Sequence, residues 1–335
     1  MMKKTIRTIT QRNMMKKTLR TMTATGMLLA AGAGFVTPLN AENEKLSEKT
    51  GEAAIVRVMT YNACRGGTYL KQPLSQSAKM IQLAQADIVG LQEIGDNVPK
   101  LAKLLGWNHS GPFVTRYEIV EELPSSSNRP AHGMKVKLPS GQEAYIFNLH
   151  LPAGPNQVYQ LLGINAGYRS YPKIDTEAEA IAGAKKARGK WIAKLFNRIS
   201  TLSDKEAPIF VVGDFNEPSY LDWTEATAKS GRHPMKVEFP TSLTMSQAGF
   251  TDAYRTVYPD EMAKPGFTWT PLKKADDPND HLDRIDFVYF KGKGVKVTDA
   301  KVIGENKENA DIVVAPYPSD HRAVVATLTL TNPSK

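Results

Sequence analysis

The chain has 335 residues, with 43 Lys+Arg against 34 Asp+Glu, a formal net charge of +9 and one cysteine, Cys64. A single cysteine excludes an intramolecular disulfide, so stability must come from an apolar core. The basic excess suggests a nucleic-acid surface only if it belongs to the folded part, and most of it does not.

Met1 to Arg20 carries Lys3, Lys4, Arg7, Arg12, Lys16, Lys17 and Arg20 with no acid. An apolar, small-residue stretch from Met27 to Val36 follows, then Pro38-Leu39-Asn40-Ala41 ahead of Glu42-Asn43-Glu44. A basic n-region, a short apolar h-region and a small residue at the cut describe a secretory signal peptide over residues 1–41, cleaved after Ala41. The apolar stretch is too short to span a bilayer, so no transmembrane segment is expected and the protein reads as secreted or periplasmic. Met-Met-Lys-Lys-Thr occurs at Met1 and again at Met14, leaving Met1, Met14 or Met15 as the start. Seven of the 43 basic residues fall within 1–41 and no acid does, leaving 36 against 34, a net +2. Nucleic acid is therefore allowed as a partner but not favoured by bulk charge. Residues 42–53 read as a polar, disordered leader. The rest, 54–332, is expected to be one large α/β domain, acting as a monomer.

In chain order, Ala54 to Tyr61 is strand-like, β-branched and apolar, ending at Asn62. Leu74 to Ala86 has helical spacing. Asp87 to Glu93 is a second buried strand that ends in an acid. Val98 to Leu105 is a short helix stopped by Gly106. Met134 to Leu138 and Glu143 to Leu149 form a strand pair joined at Pro139-Ser140-Gly141, the second strand ending in His150. Leu151 to Tyr171 is a long Gly/Pro/Tyr/Asn-rich connection, a length usually associated with function. Thr176 to Leu202 reads as one helix, with Ala180, Ala184, Ala187, Trp191, Leu195 and Ile199 as its apolar stripe. Trp191 is taken as core packing. Lys185, Lys186, Arg188 and Lys190 are taken as a solvated basic face. Pro208 to Gly213 is a buried strand leading into Asp214-Phe215-Asn216. A loop-rich stretch from Pro234 to Pro278 precedes three strands, Arg284 to Phe290, Val295 to Ile303 and Ala323 to Leu330. Strands with helices between them, followed by strands alone, imply a mixed-sheet α/β fold without a second domain.

Five strand ends carry polar residues that a buried strand does not need: Asn62; Glu93; His150; the pair Asp214 and Asn216; and Asp286 with Asp320-His321. Each alone has an ordinary explanation as a cap or a satisfied core histidine. Together, each after an apolar run, they point to chemistry at the carboxyl ends of strands. Oxygen donors without cysteine pairs suit Mg²⁺ or Ca²⁺ rather than zinc. No HExxH, Walker A, GxSxG or CxxC motif occurs, which excludes the corresponding proteases, NTPases and nucleophile-elbow hydrolases at the motif level. A hard metal beside His/Asp pairs matches phosphoester hydrolysis by in-line attack of an activated water.

The segments Thr60-Tyr61-Asn62, Leu91-Gln92-Glu93, Asn148-Leu149-His150-Leu151, Gly213-Asp214-Phe215-Asn216, Asp283-Arg284-Ile285-Asp286 and Ser319-Asp320-His321 occur in that order. In combination they resemble the signature of the endonuclease/exonuclease/phosphatase superfamily, over about Val56 to Leu330. The resemblance implies a four-layer α/β sandwich, two mixed β-sheets packed face to face with helices outside. It implies a Mg²⁺-dependent phosphoesterase, expected to be a phosphodiesterase, with Mn²⁺ or Ca²⁺ as alternative ions, and the N-terminal pattern makes it an exported one. Glu93 then resembles the principal metal ligand, with Asn62 and Asp320 near the same ion. Asp214 resembles the residue that orients or deprotonates the attacking water, and Asn216 holds the phosphate or that water. His150 resembles the donor to the phosphate, His321 the catalytic histidine, and Asp286 the acid that fixes its tautomer. Which of His321 and Asp214 takes the water's proton is left open.

Thr115-Arg116-Tyr117 keeps only part of a family pattern, so Arg116, with Arg129 and His132 nearby in sequence, is a candidate substrate contact. Tyr159, Tyr168, Arg169 and Tyr171 are candidates for stacking. Phe267-Thr268-Trp269 is expected beside the catalytic loop. His109, His233 and His281 have no motif support and are read as surface. The alternatives are a secreted endonuclease on the same fold, or a non-catalytic binding protein. The latter would have lost at least one of Glu93, Asp214, His321 or Asp286, and all four are present.

Overall fold

The computed structural model describes residues 53–125, 131–165, 170–272, 277 and 280–331. The signal-peptide segment, nearly all of the leader, Arg129, Tyr168 and Arg169 lie outside the described residues.

The elements in order are β1 (Ala54–Asn62), α1 (Leu74–Leu83), β2 (Ile88–Gln92), α2 (Val98–Leu105), β3 (Asn108–Ser110), β4 (Phe113–Thr115), β5 (Glu118–Leu123), β6 (His132–Lys137) and β7 (Glu143–His150). There follow α3 (Gln157–Leu162), α4 (Glu177–Ser200), β8 (Ile209–Asp214), α5 (Glu225–Lys229), α6 (Pro240–Gln247), β9 (Thr251–Asp252) and α7 (Ala253–Val257). The last are β10 (Asp286–Lys291), β11 (Val295–Gly304), β12 (Ile312–Val313) and β13 (Ala323–Leu330).

Strand order is β12-β11-β13-β1-β2-β4-β3 in one sheet and β5-β6-β7-β8-β10-β9 in the other. Strand alternation explains how two sheets make three apolar interfaces. Val56 and Val58 of β1 point inward to meet Ile146, Phe210, Val212 and Val288 of the second sheet. Met59 and Tyr61 point the other way, onto Ile81 of α1 and Leu101 of α2. On the opposite outer face, Tyr145, Phe147 and Val211 pack on Ile192 and Leu195 of α4. These are the four layers implied by the resemblance.

Local rules set the helix ends. Gly106, at φ 70°, terminates α2 in the left-handed region where a side chain would be strained. Thr176 caps α4 and forms a reciprocal capping box with Glu179. The buried face of α4 is Ala180, Ala184, Arg188, Ile192 and Leu195, one position round from the stripe expected through Ala187, Trp191 and Ile199. Arg188 is therefore not part of a solvated face. It is buried, 3.4 Å from Glu217 and bonded to Gln157 Oε1 at 2.8 Å. Lys185, Lys186 and Lys190 are exposed as expected. The long connection after His150 contains α3, and the stretch read as loop-rich contains α6, β9 and α7.

β1 and β2 run parallel, as do β7 and β8, while β10 is antiparallel to β8 and β13 antiparallel to β1. The carboxyl ends of β1, β2, β7 and β8 therefore meet the amino ends of β10 and β13 at one edge of the sandwich. All the strand-end motifs lie there.

Candidate active site

β8 is buried along its whole length and ends on Asp214. Gly213, at φ 155°, is required because a Cβ there would lie 2.2 Å from the Leu149 carbonyl oxygen. That close approach of β7 to β8 sets His150 directly beside Asp214 in the parallel register. Across the other edge of β8, Asp286 pairs with Asp214 in the antiparallel register. Sequence distance is thus removed by sheet geometry alone.

Asp214 is the hub. Its Oδ2 accepts hydrogen bonds from Asn62 Nδ2 at 3.0 Å and Asn216 Nδ2 at 3.0 Å, and its Oδ1 accepts from the Asn216 backbone N–H at 2.8 Å. His150 Nε2 lies 3.6 Å and His321 Nε2 3.8 Å from the same Oδ2. His321 is held from its other side, Nδ1 lying 3.0 Å from Asp286 Oδ2. Its backbone N–H donates to Ser319 Oγ at 3.1 Å, and Ser319 Oγ donates to the Asn62 carbonyl at 2.6 Å. Asp286 is in turn fixed by Thr268, whose Oγ1 accepts from the backbone N–H groups of Ile285 and Asp286.

The electrostatics follow from burial and paired charges. Burial pushes the Asp214 carboxyl up, with Asp286 adding to the shift and the facing His321 partly offsetting it. Burial alone would lower His321, but Asp286 and Asp214 outweigh it and raise the imidazole to about 10. His321 is an imidazolium at neutral pH in this arrangement.

Glu93 differs from these groups in being exposed, with Oε1 3.8 Å from His150 Nε2. Its backbone lies at φ 55°, a left-handed conformation that costs a non-glycine residue about 1–2 kcal/mol. Asn216 shares this conformation at φ 49°. Such strain concentrates where side-chain placement matters to function. Half-buried Asp320 and buried Cys64 lie near Glu93, since both carboxylates act on the thiol. Burial and Asp320 push that thiol well above its ordinary value, so it stays protonated.

Two buried residues that the sequence reading quoted without a role couple the sheets. Gln92 Nε2 donates to Asn148 Oδ1 at 2.6 Å, and Asn148 Nδ2 donates to the Leu91 carbonyl at 2.7 Å. They fix the end of β2 against the end of β7, and so Glu93 against His150. Their signal was present in Leu-Gln-Glu and Asn-Leu-His, where a buried strand carries an amide one or two residues before its functional residue.

The structure brings Asn62, Glu93, His150, Asp214, Asn216, Asp286, Asp320 and His321 to one end of the sandwich. His132 joins them, lining a groove with Glu93 and His150. Trp191 packs against the core as expected, but it is only half-buried and also lines the same groove. Arg116 does not reach it. It sits at the opposite end of β2, its Nε donating to the Ala86 carbonyl and its guanidinium over Trp107 and near Asp87. β4 is antiparallel to β2, so the residue after β4 arrives at the amino end of β2. Trp269 lies where expected, its ring 4.7 Å from that of His321. A cavity of about 630 Å³ opens beside it, lined by Asn216, Tyr159, Trp269, Asp280 and His281 among others.

His109 is exposed as expected, but His233 is buried and His281 half-buried. His233 is 4% exposed and stacks on Trp223 at 4.2 Å. Burial lowers His233 to about 3 and His281 to about 4, with Asp280 partly opposing the shift of His281.

Residues 59–321 match the sequence profile of the Endonuclease/Exonuclease/phosphatase family. The chain belongs to that family. It is accordingly a metal-dependent phosphoric ester hydrolase. It is 30% identical over 296 residues to the Caenorhabditis elegans protein F14F9.5, covering 82% of this chain and 91% of that protein. Among solved structures it resembles an endonuclease/exonuclease/phosphatase from Beutenbergia cavernae, with TM-score 0.50, 17% identity, and 83% of this chain and 72% of that one covered. The 3′ phosphatase NExo from Neisseria, solved with a product DNA hairpin, gives TM-score 0.50 and 18% identity over 81% of this chain and 98% of that one. At these identities the structural likenesses bear on the fold alone.

Proposed function

We propose that the protein is an exported, Mg²⁺-dependent phosphodiesterase that hydrolyses a P–O bond by in-line attack of water. The observation that carries this reading is the convergence of His150, Asp286 and His321 on Asp214, with the strained, exposed Glu93 at the rim. Export is supported by the basic, apolar and small-residue pattern of residues 1–41.

The residues fit a hard divalent cation. Glu93, Asp320 and Asn62 offer oxygen donors, the set that Mg²⁺ prefers, with the Glu93 side chain exposed to receive the ion. When bound, such an ion neutralises charge on a phosphoryl oxygen. The chain's own groups do the rest. Asp214, buried with its pKa raised, orients the attacking water and accepts its proton. Asn216 and Asn62 keep the Asp214 carboxylate in one orientation. His321, held as imidazolium by Asp286, and His150 donate to the phosphoryl oxygens as negative charge grows.

The near-balanced charge of residues 42–335 favours a phosphodiester other than duplex DNA. One observation supports the endonuclease reading instead: Lys190 and Lys194 lie 5.0 and 4.8 Å from the ring of Trp191, which lines the groove beside Glu93. A substrate panel with Mg²⁺ separates the two, comprising plasmid DNA, RNA, sphingomyelin, inositol phosphates and generic diesters. The proposal expects turnover of a small or lipid diester with little salt dependence. Preferential nicking of plasmid with a steep loss on added salt would establish the endonuclease reading.

A further inference from the structure

We propose that His233, His281 and Asp283 form a second metal site, separate from the catalytic end, that binds a borderline divalent ion of the Zn²⁺ class. His233 Nδ1 and His281 Nε2 face each other at 3.0 Å, and one ligand atom from each of the three residues lies within 4.8 Å of the others. Two nitrogens each about 2.0–2.1 Å from a tetrahedral zinc lie roughly 3.3 Å apart, so little adjustment admits an ion between them.

The outer contacts are those a ligating set requires. The His233 ring also bonds to the backbone of Asp222, which leaves Nδ1 to present its lone pair toward His281. Trp223 Nε1 donates to Asp283 Oδ1 at 2.9 Å and stacks its ring on His233, so one side chain orients two ligands. The His281 backbone N–H donates to Asp280 Oδ1 at 2.8 Å, fixing the base of the third. Asp283 is buried, and burial together with the acids Asp222 and Asp280 pushes its carboxyl well up, Asp222 being itself paired with Arg255 and Arg284. Without a cation such a carboxyl is held neutral, and a divalent ion between the imidazoles would let it ionise and ligate.

Two nitrogens and one carboxylate leave a fourth position. His281 and Asp283 line the cavity of about 630 Å³, so that position faces the space beside Trp269 and Asn216. The ion would fasten the segment after α5 to the segment that leads, three residues beyond Asp283, to Asp286. The set shares no residue with the Asp214, Asp286 and His321 group.

The test uses the full chain, freed of metal with chelator and titrated with Co²⁺ alone as a spectroscopic probe. The proposal expects the visible absorption of four-coordinate Co²⁺ to saturate at one equivalent, to be displaced by Zn²⁺, and to persist in Glu93→Gln. It expects that absorption to vanish in His281→Gln and in His233→Gln. Zn²⁺ at about a hundredfold excess over Kd should raise Tm by roughly 5 °C in the wild type and not in His281→Gln. Absence of the absorption in the wild type, its survival in His281→Gln, or its loss in Glu93→Gln would each overturn the proposal. Should the buried His233 variant fail to fold, the half-buried His281 variant and the wild-type titration still decide it.

Discussion

Asp214 and Asp286 stand directly opposite each other in the antiparallel pairing of β8 and β10. His321 is held between them, Nδ1 on Asp286 and Nε2 toward Asp214. Asp286 makes no contact with the water or the ion in the proposed reaction, so its task is to hold and charge the imidazole. Asp286→Asn should lower kcat roughly 10²–10⁴-fold with KM nearly unchanged. Steady-state kinetics beside a thermal melt check this, and an unchanged kcat in a folded variant would contradict the assigned role.

The same pair makes stability depend on pH. The folded pKa of His321, about 10, exceeds its ordinary value of 6.5. Its stabilising contribution is therefore complete below pH 6.5 and is lost as pH rises toward 10. In chelator-treated protein, the urea midpoint should fall across that window in the wild type and fall less steeply in His321→Asn. Parallel curves for the two proteins would mean the raised pKa is not realised.

Glu93 combines exposure with a left-handed backbone at φ 55°. Glu93→Gly should relieve that strain and stabilise the fold by about 0.5–1 kcal/mol, net of glycine's entropic cost. It should also abolish metal-dependent turnover. Equilibrium unfolding reads the first effect, and a destabilised Glu93→Gly protein would show that the conformation is not strained.

Arg188 and Glu217 are each 1% exposed and pair behind the Asp214 loop. Arg188→Met should cost about 3–5 kcal/mol by leaving a buried carboxylate uncompensated. Adding Glu217→Gln should recover part of that loss, since Glu217 Oε1 keeps its bond from the Thr241 N–H. A loss below about 1 kcal/mol in the single variant would mean that water or a rearranged partner satisfies Glu217.

Strong local patterns were legible in the sequence. The buried strands β1, β2, β7 and β8 are continuous apolar runs, and the ends of α2 and α4 carry Gly106 and the Thr176 cap. The strand-end residues were legible because order along the chain and buried context coincide in every motif. Short elements were not. β3 and β4 have three residues each, too few to display a period, and the exposed β5, Glu-Ile-Val-Glu-Glu-Leu, offers its edge little apolar patterning. Arg188 was hidden by its basic neighbours, although Ala180, Ala184 and Ile192 place it on the buried face. His233 and His281 were invisible for another reason: they meet across 48 residues with no motif at either end.

The most direct test of the account is the initial rate of bis-p-nitrophenyl phosphate hydrolysis as MgCl2 is titrated into metal-free wild type and Glu93→Ala. The account predicts saturable, Mg²⁺-dependent hydrolysis in the wild type and a loss of at least about 10²-fold in the variant. Equal rates in the two proteins, or a wild-type rate indifferent to Mg²⁺, would contradict it.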